Sequence, residues 1–544
     1  MPIKLPAGIS QRRFDSAIRE LQEIVGSEWV FTSEADVETY RDSYSIRWGH
    51  DDEYFASAAV APASVEEVQG IVRIANEYEI PVYSISTGKN LTYGGAAPTY
   101  SGSIVLDLKR MNRVLEIDDK RNFAVVEPGC SYFDLYEYIQ SRGLKVWIDC
   151  PDPGWGSPLG NALDNGVGYT GSPFRDHWGA HCGLEVVLAN GDIIRTGMGA
   201  NPNSESWQDY RYGAGPDVDG LFTQGNYGVV TKMGFWLMPQ PEAWFTGTVT
   251  VPKYSDLAEL IRQHNYLEDS LLLNGRTTFG SAYGGFGGGG GLREEVSALV
   301  AGGWPTTAEL DAFVERTGQP AWTLQMQFFG PEKSLQARWD YVQRRISEAI
   351  PGATFGDEEM LTMPLSPAQE TTHRRVDFGI PNMSNYGMMA RRPGVIDPPD
   401  GHSDFLVVAS RSADSVHRFA RTNYEMQMEL GLPVTASPFA TPVTWFPRFF
   451  LMGAAGIWTQ HNDPELNMEG RIQFEAMIRK FSAAGYPNYR TNPSNFDVLA
   501  EQFSFNNNAL LRFQETLKDA ADPNGILSPG RYGIWPKRLR EDRA

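Results

Sequence analysis

Apolar positions recur at helical spacing in two early segments. Residues 10 to 30 carry an apolar stripe between acidic and basic side chains, and Val68, Ile71, Val72 and Ala75 follow Ser64-Val65-Glu66-Glu67, which reads as a capping box. Pro81 to Ser86 then reads as a short strand that empties into Thr87-Gly88-Lys89-Asn90 and Tyr93-Gly94-Gly95-Ala96-Ala97-Pro98. Segments 103 to 108, 114 to 118 and 123 to 129 predict further strands, followed by a helix from about Tyr132 to Arg142. LEVVLA and DIIRT, within 184 to 196, predict a hairpin whose Asn190-Gly191 corner suits a type I′ turn, because both positions want positive φ. Another strand pair is expected near Gly228 to Met238. Strands, helices and hairpins mixed in this way predict an α+β fold rather than a parallel doubly wound sheet.

From about Pro241 to Ala484 the helical patterns lengthen and prolines multiply, and the five glycines Gly287 to Gly291 predict a surface loop. The chain closes with a helix over about Asn507 to Ala521 and then DPNGILSPGR. At 544 residues the expectation is two to four domains. A net charge of −20 argues against a nucleic-acid surface, which is built from clustered Lys and Arg. Three scattered cysteines, Cys130, Cys150 and Cys182, suit neither a disulfide framework nor a thiolate metal site, so a reduced cytoplasmic setting is expected and no metal. Phe449 to Trp458 is too short to span a bilayer, and no apolar signal segment follows Arg12-Arg13. The expectation is a soluble protein.

Familiar phosphate and hydrolase motifs fail on context. Gly166-Val167-Gly168-Tyr169-Thr170-Gly171 matches G-x-G-x-x-G, but the residues before it read as helix and those after it open none, which argues against a Rossmann site. Gly88-Lys89-Asn90 lacks the remainder of a P-loop, and neither H-E-x-x-H nor G-x-S-x-G occurs. What remains is three loops rich in Gly, Asn and small hydroxyls, at 84 to 95, 151 to 170 and the terminal PNGILSPGR. Glycine backbone can approach a pyrophosphate closely and offer it free N–H groups.

TGKNLTYGGAAP, the Asp-Cys-Pro-Asp segment before GWGSPLGNALDNGVGYT, LEVVLANGDIIRTGMGA, LFTQGNYGVVTKMGFWLMP, Tyr489-Arg490 and DPNGILSPGRYGIW together closely resemble the vanillyl-alcohol oxidase and 4-cresol dehydrogenase group of flavoproteins, and within it the eugenol oxidases. The likeness runs over residues 5 to 240 and 485 to 536 and is thin between. It implies an FAD-binding domain of two α+β subdomains over 1 to 240, near 1 to 112 and 113 to 240. A cap domain with a large antiparallel sheet over 241 to 484 and a C-terminal segment over 485 to 544 that returns to the active site complete it.

The resemblance further implies that Ser86, Thr87, Gly88, Lys89, Asn90, Gly94 and Gly95 cradle the FAD pyrophosphate. Ser157, Gly160, Asn161, Gly168 and Val230 would line the cofactor, and Arg531 would close its flavin end. The implied reaction is oxidation of a para-substituted phenol at its benzylic carbon through a quinone methide, with O₂ or another redox acceptor taking the electrons. A dehydrogenase that passes electrons to a cytochrome, and a catalytically silent flavin-binding homologue, stay open as alternatives. A homodimer or larger assembly is implied, with no nucleic-acid or membrane partner.

A phenol with a pKa of about 10 must be held as its anion, and Tyr93, Tyr489 and Arg490 match the family's anion clamp. Neighbours on a regular strand face opposite ways, so Tyr489 and Arg490 can converge only at a bend or strand end. Asp152 matches the acidic residue beside the flavin, placed to act as a base. His402, in Asp400-Gly401-His402, is the candidate for a covalent flavin link; the tyrosine used by cresol dehydrogenases would fall near Met389, with Tyr386 nearby. His177 and His181, flanking Trp178, are expected to pack beside the flavin.

Overall fold

A computed structural model describes residues 4–284, 292–384, 400–432, 434, 436–454 and 456–540. Its first sheet has the strand order Val30–Phe31, Ala58–Val60, Ile104–Asp107, Val82–Ile85. The outer Val30–Phe31 pairing is antiparallel and the other two are parallel. Helices Gln11–Val25 and Val65–Tyr78 join its core, burying Phe14, Ala17, Ile18 and Leu21 of the first and Val68, Ile71, Val72 and Ala75 of the second. The second helix starts where the Ser64 hydroxyl accepts the Glu67 N–H at 3.2 Å. The reciprocal bond differs from the expected capping box: Glu67 accepts the N–H of Ala63, not of Ser64, at 2.7 Å.

A second, antiparallel sheet orders Val114–Asp118, Phe123–Val126, Gly228–Trp236, His181–Leu188 and Ile193–Arg195. Its last hairpin is not closed by a type I′ turn. Gly191, at φ 84°, is left-handed while Asn190 is not, and the Gly191 N–H bonds the Leu188 carbonyl at 2.9 Å. One positive-φ residue suffices because the loop takes an extra residue, the type I turn plus bulge geometry.

The middle of the chain builds a seven-stranded antiparallel sheet, ordered Thr354–Thr362, Ala243–Val251, Trp322–Gly330, Thr277–Gly280, Val443–Thr444, Phe450–Gly453, Leu406–Ala409. Helix Glu332–Ala349 packs on three of these strands, and Gly247 leaves room for the buried Trp339 ring, which a Cβ would meet at 2.5 Å. The apolar run 449 to 458 thus falls mostly in short strands, and among the described residues no helix is long and apolar enough to cross a membrane.

After Tyr489 the chain returns to the first sheet. Leu527 bridges Val82 in parallel, with Val82 N–H to Ile526 O at 2.7 Å and Ser528 N–H to Val82 O at 2.8 Å. Helix Phe505–Ala521 is regular only after Asn506, Asn507 and Asn508, all three left-handed. Lys518, wholly buried, donates to Asp522 Oδ2 at 2.7 Å, Asn226 O at 2.6 Å and Leu527 O at 2.7 Å, pinning this segment to the rest. Removing one partner of such a pair leaves a buried, uncompensated charge. Lys518→Ala is therefore expected to lower the chemical unfolding midpoint by a loss of about 3–5 kcal/mol; an unchanged midpoint would show that the latch is dispensable.

Candidate active site

The three glycine-rich loops meet at one cavity of about 1730 Å³. Ser86, Thr87, Gly88, Lys89, Asn90, Gly94 and Gly95 line it from one loop, Ser157, Gly160 and Asn161 from a second, and Val230 and Arg531 from elsewhere in the chain. Gly94, at φ 124°, has a conformation closed to most side chains. A Cβ on Gly160 would overlap the Ser86 hydroxyl, so the two loops touch only because glycine stands there. Ser157 caps the short helix Pro158–Leu163, accepting the Gly160 N–H at 3.2 Å and donating to Pro128 O at 2.6 Å.

Gly168 does not line this cavity. It packs against Asp149 and Cys150, where a Cβ would overlap the Asp149 carboxylate, so its small size serves loop packing. His177 and His181 are likewise absent from the wall. His177 is bonded to Asp149 at 2.8 Å and to Asn161, and His181 to Asp219 at 3.0 Å while stacked on Trp178 at 3.7 Å. Both are held by buried carboxylates, and His177 meets the cavity wall through its bond to Asn161.

Tyr489 and Arg490 lie at a bend immediately after the bridge between Val407 and Asn488, the geometry their convergence requires. The Arg490 guanidinium carbon sits 3.9 Å from the Tyr93 ring centre and 4.9 Å from that of Tyr489. Burial raises the pKa of both tyrosines against the pull of Arg490, so both stay protonated. Burial alone would weaken the charge on Arg490, but its surroundings, the Asp164 carboxylate at 3.4 Å among them, keep the guanidinium charged. The Arg490 Nε is buried without a hydrogen-bond partner among the described residues, a donor held ready for an acceptor. Arg490 and Tyr93 line the cavity; Tyr489 stands behind them, its hydroxyl donating to the Asn165 carbonyl.

Asp164 holds this corner together, and no local pattern in the sequence marked it. Buried at 2% exposure, it accepts from Asn90 Nδ2 at 2.6 Å and from the Tyr532 hydroxyl at 2.9 Å. Its carbonyl accepts from Arg490 Nη1 at 3.0 Å, and Arg531 Nη2 lies 3.6 Å from its carboxylate.

Asp152 lines the same cavity, paired with Arg374 at 3.2 Å and hydrogen-bonded with Tyr169, whose ring lies 4.0 Å from the Arg374 guanidinium carbon. Arg276, which lines the cavity and lies 3.7 Å from Asp377, and Arg374 both come from the stretch where the resemblance is thin, which is why sequence reasoning missed them. His402 also faces the cavity, from strand Gly401–Ser403 opposite Trp458. It is a buried strand residue, and burial lowers its pKa, which favours the neutral imidazole. Tyr386, Met389 and the glycine run Gly287 to Gly291 lie outside the described residues.

Residues 56–197 match the FAD binding domain family. The 4-cresol dehydrogenase [hydroxylating] flavoprotein subunit of Pseudomonas putida is 32% identical over 540 residues, which cover 97% of this chain and 97% of that protein. The chain belongs to the 4-cresol dehydrogenase and vanillyl-alcohol oxidase family of flavoproteins. Two solved structures share its fold at a TM-score of 0.79. One is p-cresol methylhydroxylase with substrate bound, 30% identical, with 98% of this chain and 99% of that chain covered. The other is 4-ethylphenol oxidase from Gulosibacter chungangensis in complex with isoeugenol, 34% identical, with 99% and 100% covered.

This family member is an FAD-dependent oxidoreductase. Its cavity fits the cofactor: one wall is glycine backbone at which added Cβ atoms would clash, and a charged arginine, Arg531, stands where the C-terminal segment meets it.

Beneath Gly95 lies Asp42, which accepts hydrogen bonds from the N–H groups of Tyr44, at 3.0 Å, and Gly95. Burial pushes its pKa up to about 6 against those two donors. A folded-state pKa above the unfolded value means that the protonated form is favoured by folding, and this stabilisation fades as pH rises from about 4 through about 6. Wild-type protein is thus expected to lose about 3 kcal/mol across that window relative to Asp42→Asn; thermal unfolding curves of the two that run parallel in pH would contradict it.

Proposed function

We propose that the protein oxidises para-substituted phenols of the 4-alkylphenol type at the benzylic carbon through a quinone methide. The observation that carries this reading is a buried arginine with a free donor, beside a protonated tyrosine, lining the same cavity as the glycine-backed cofactor wall and Asp152. The substrates named for the similar proteins, p-cresol and 4-ethylphenol, support it. Ionising a phenol of pKa about 10 at neutral pH costs about 4 kcal/mol, the scale that a charge-assisted, water-excluded anion site supplies.

In this reading Arg490 and Tyr93 hold the phenolate oxygen. The Tyr489 hydroxyl exchanges the Asn165 carbonyl for that oxygen, because an anion is the stronger acceptor. The held charge pushes electrons through the ring toward the para position. Bound FAD supplies the acceptor for the hydride released from the benzylic carbon. Asp152, oriented by Arg374 and Tyr169, takes the proton of the water that adds to the quinone methide, and the ring returns to phenolate.

We further propose that residues 1–240 and 485–544 form the cofactor half and 241–484 the cap, and that His402 carries the flavin covalently, a reading supported by its neutral, buried position on the cavity wall. Three free, buried cysteines support a cytoplasmic setting, and the family resemblance supports a homodimer or larger assembly. O₂ or a cytochrome would take up the electrons; the name of the P. putida relative, a flavoprotein subunit, favours neither for this chain.

Arg490→Ala is expected to lower kcat/KM for a 4-alkylphenol by about 10²–10³ with the flavin still bound, and unchanged turnover would remove the clamp. Acid precipitation is expected to leave flavin on the wild-type polypeptide and release it from His402→Ala; flavin freed from both would end the covalent assignment.

A further inference from the structure

The scheme above leaves one acid on the cavity wall unused. Asp404 directly follows the strand that carries His402 and lines the same cavity as Tyr93 and Arg490. Its N–H donates to the Thr92 hydroxyl at 2.7 Å, which fixes it beside the residue preceding Tyr93. The carboxylate is 3.8 Å from His402 Nε2, the one basic nitrogen within 4 Å of it among the described residues, and no described residue donates a hydrogen bond to it. Its side chain is 21% exposed and lines the cavity, so the carboxylate is open to whatever occupies that space. A carboxylate free of protein donors on a cavity wall is a candidate for chemistry.

The charged and titratable groups that face Asp404 are His402 beside it, Arg490 from the bend after Asn488, and Tyr93 from the glycine-rich loop. Burial favours its protonated form, while His402 and Arg490 favour the ionised one, so the group is poised to change state when the charge near Arg490 changes. Arg490 already has the Asp164 carboxylate at 3.4 Å as its counter-charge, so a second acid near it is not needed to balance the guanidinium. Two anions beside one guanidinium would repel each other in a water-poor cavity.

Resting on the phenolate reading, we propose that Asp404 is the base that accepts the phenol proton when substrate binds. The O–H bond of the phenol breaks, an O–H bond forms on the Asp404 carboxylate, and the electron pair stays on the oxygen held by Arg490 and Tyr93. The total charge of the site is unchanged, and the proton never reaches solvent. Asp152 serves the opposite end of the substrate, so the two acids have separate tasks.

The test uses the FAD-loaded enzyme and 4-tert-butylphenol, which has no benzylic hydrogen and can bind without being oxidised. Ultraviolet difference spectra report the phenolate, and calorimetry in two buffers of different ionisation heat counts protons released. Wild-type enzyme is expected to show the phenolate band with no net proton release. Asp404→Asn is expected to release about one proton per phenolate bound, with affinity rising about tenfold per pH unit below the phenol pKa. One proton released by the wild type overturns the proposal, as does a variant that matches it. Should the variant fail to fold, the wild-type proton count still decides. Absence of any phenolate band in the wild type would remove the clamp itself, and this proposal with it.

Discussion

The arrangement of this molecule depends on one buried carboxylate. Asp164 bonds Asn90 of the first glycine-rich loop, Tyr532 near the C-terminus and, through its carbonyl, Arg490, so three stretches far apart in the chain meet on one residue. A carboxylate at 2% exposure is tolerable only with such donors and nearby positive charge, and both Arg490 and Arg531 lie within 4 Å of its oxygens. The dependence is mutual: without Asp164 the guanidiniums of Arg490 and Arg531 would lose the carboxylate that lies within 4 Å of both. The glycine-rich cavity wall and the corner that holds Arg490 are thereby built as one unit.

The same logic of opposed charges recurs at the other end. Asp152 is matched by Arg374 and Asp377 by Arg276, with Tyr169 between the two arginines. These arginines come from the sheet-bearing middle of the chain, while Asp152 and Tyr169 come from the N-terminal part. The contact between the two halves is thus electrostatic as well as apolar, and it sets the orientation of Asp152. Against this background of paired charges, Asp404 stands out as a partly exposed acid on the cavity wall to which no described residue donates a hydrogen bond.

Glycine performs a different task at the cofactor wall. Gly94 adopts a backbone that most residues avoid, and Gly160 permits contact with Ser86 that a methyl group would block. Gly168 belongs to the same motif on paper, yet its missing side chain accommodates Asp149, away from the cavity. A glycine in a sequence records that space is short, without recording what fills it.

Local signals determined a good deal: the helix after Ser64, the strand opening into the first glycine-rich loop, the hairpin near Asn190 and the bend that Tyr489-Arg490 needs all follow from periodicity, turn chemistry and strand geometry. The family was also legible, because its motifs sit in loops where backbone conformation restricts residue choice. The middle of the chain was not, since a two-sided antiparallel sheet with helical cover accepts many apolar sequences of similar volume. Tertiary structure alone decided the partners of charged groups. Nothing near residue 164 in the chain announces that its carboxylate will meet Asn90 and Tyr532, and nothing around Asp404 announces that it will line the same cavity as Arg490. Hydrogen bonding and desolvation depend on which distant atoms arrive at a point, and only the folded chain brings them there.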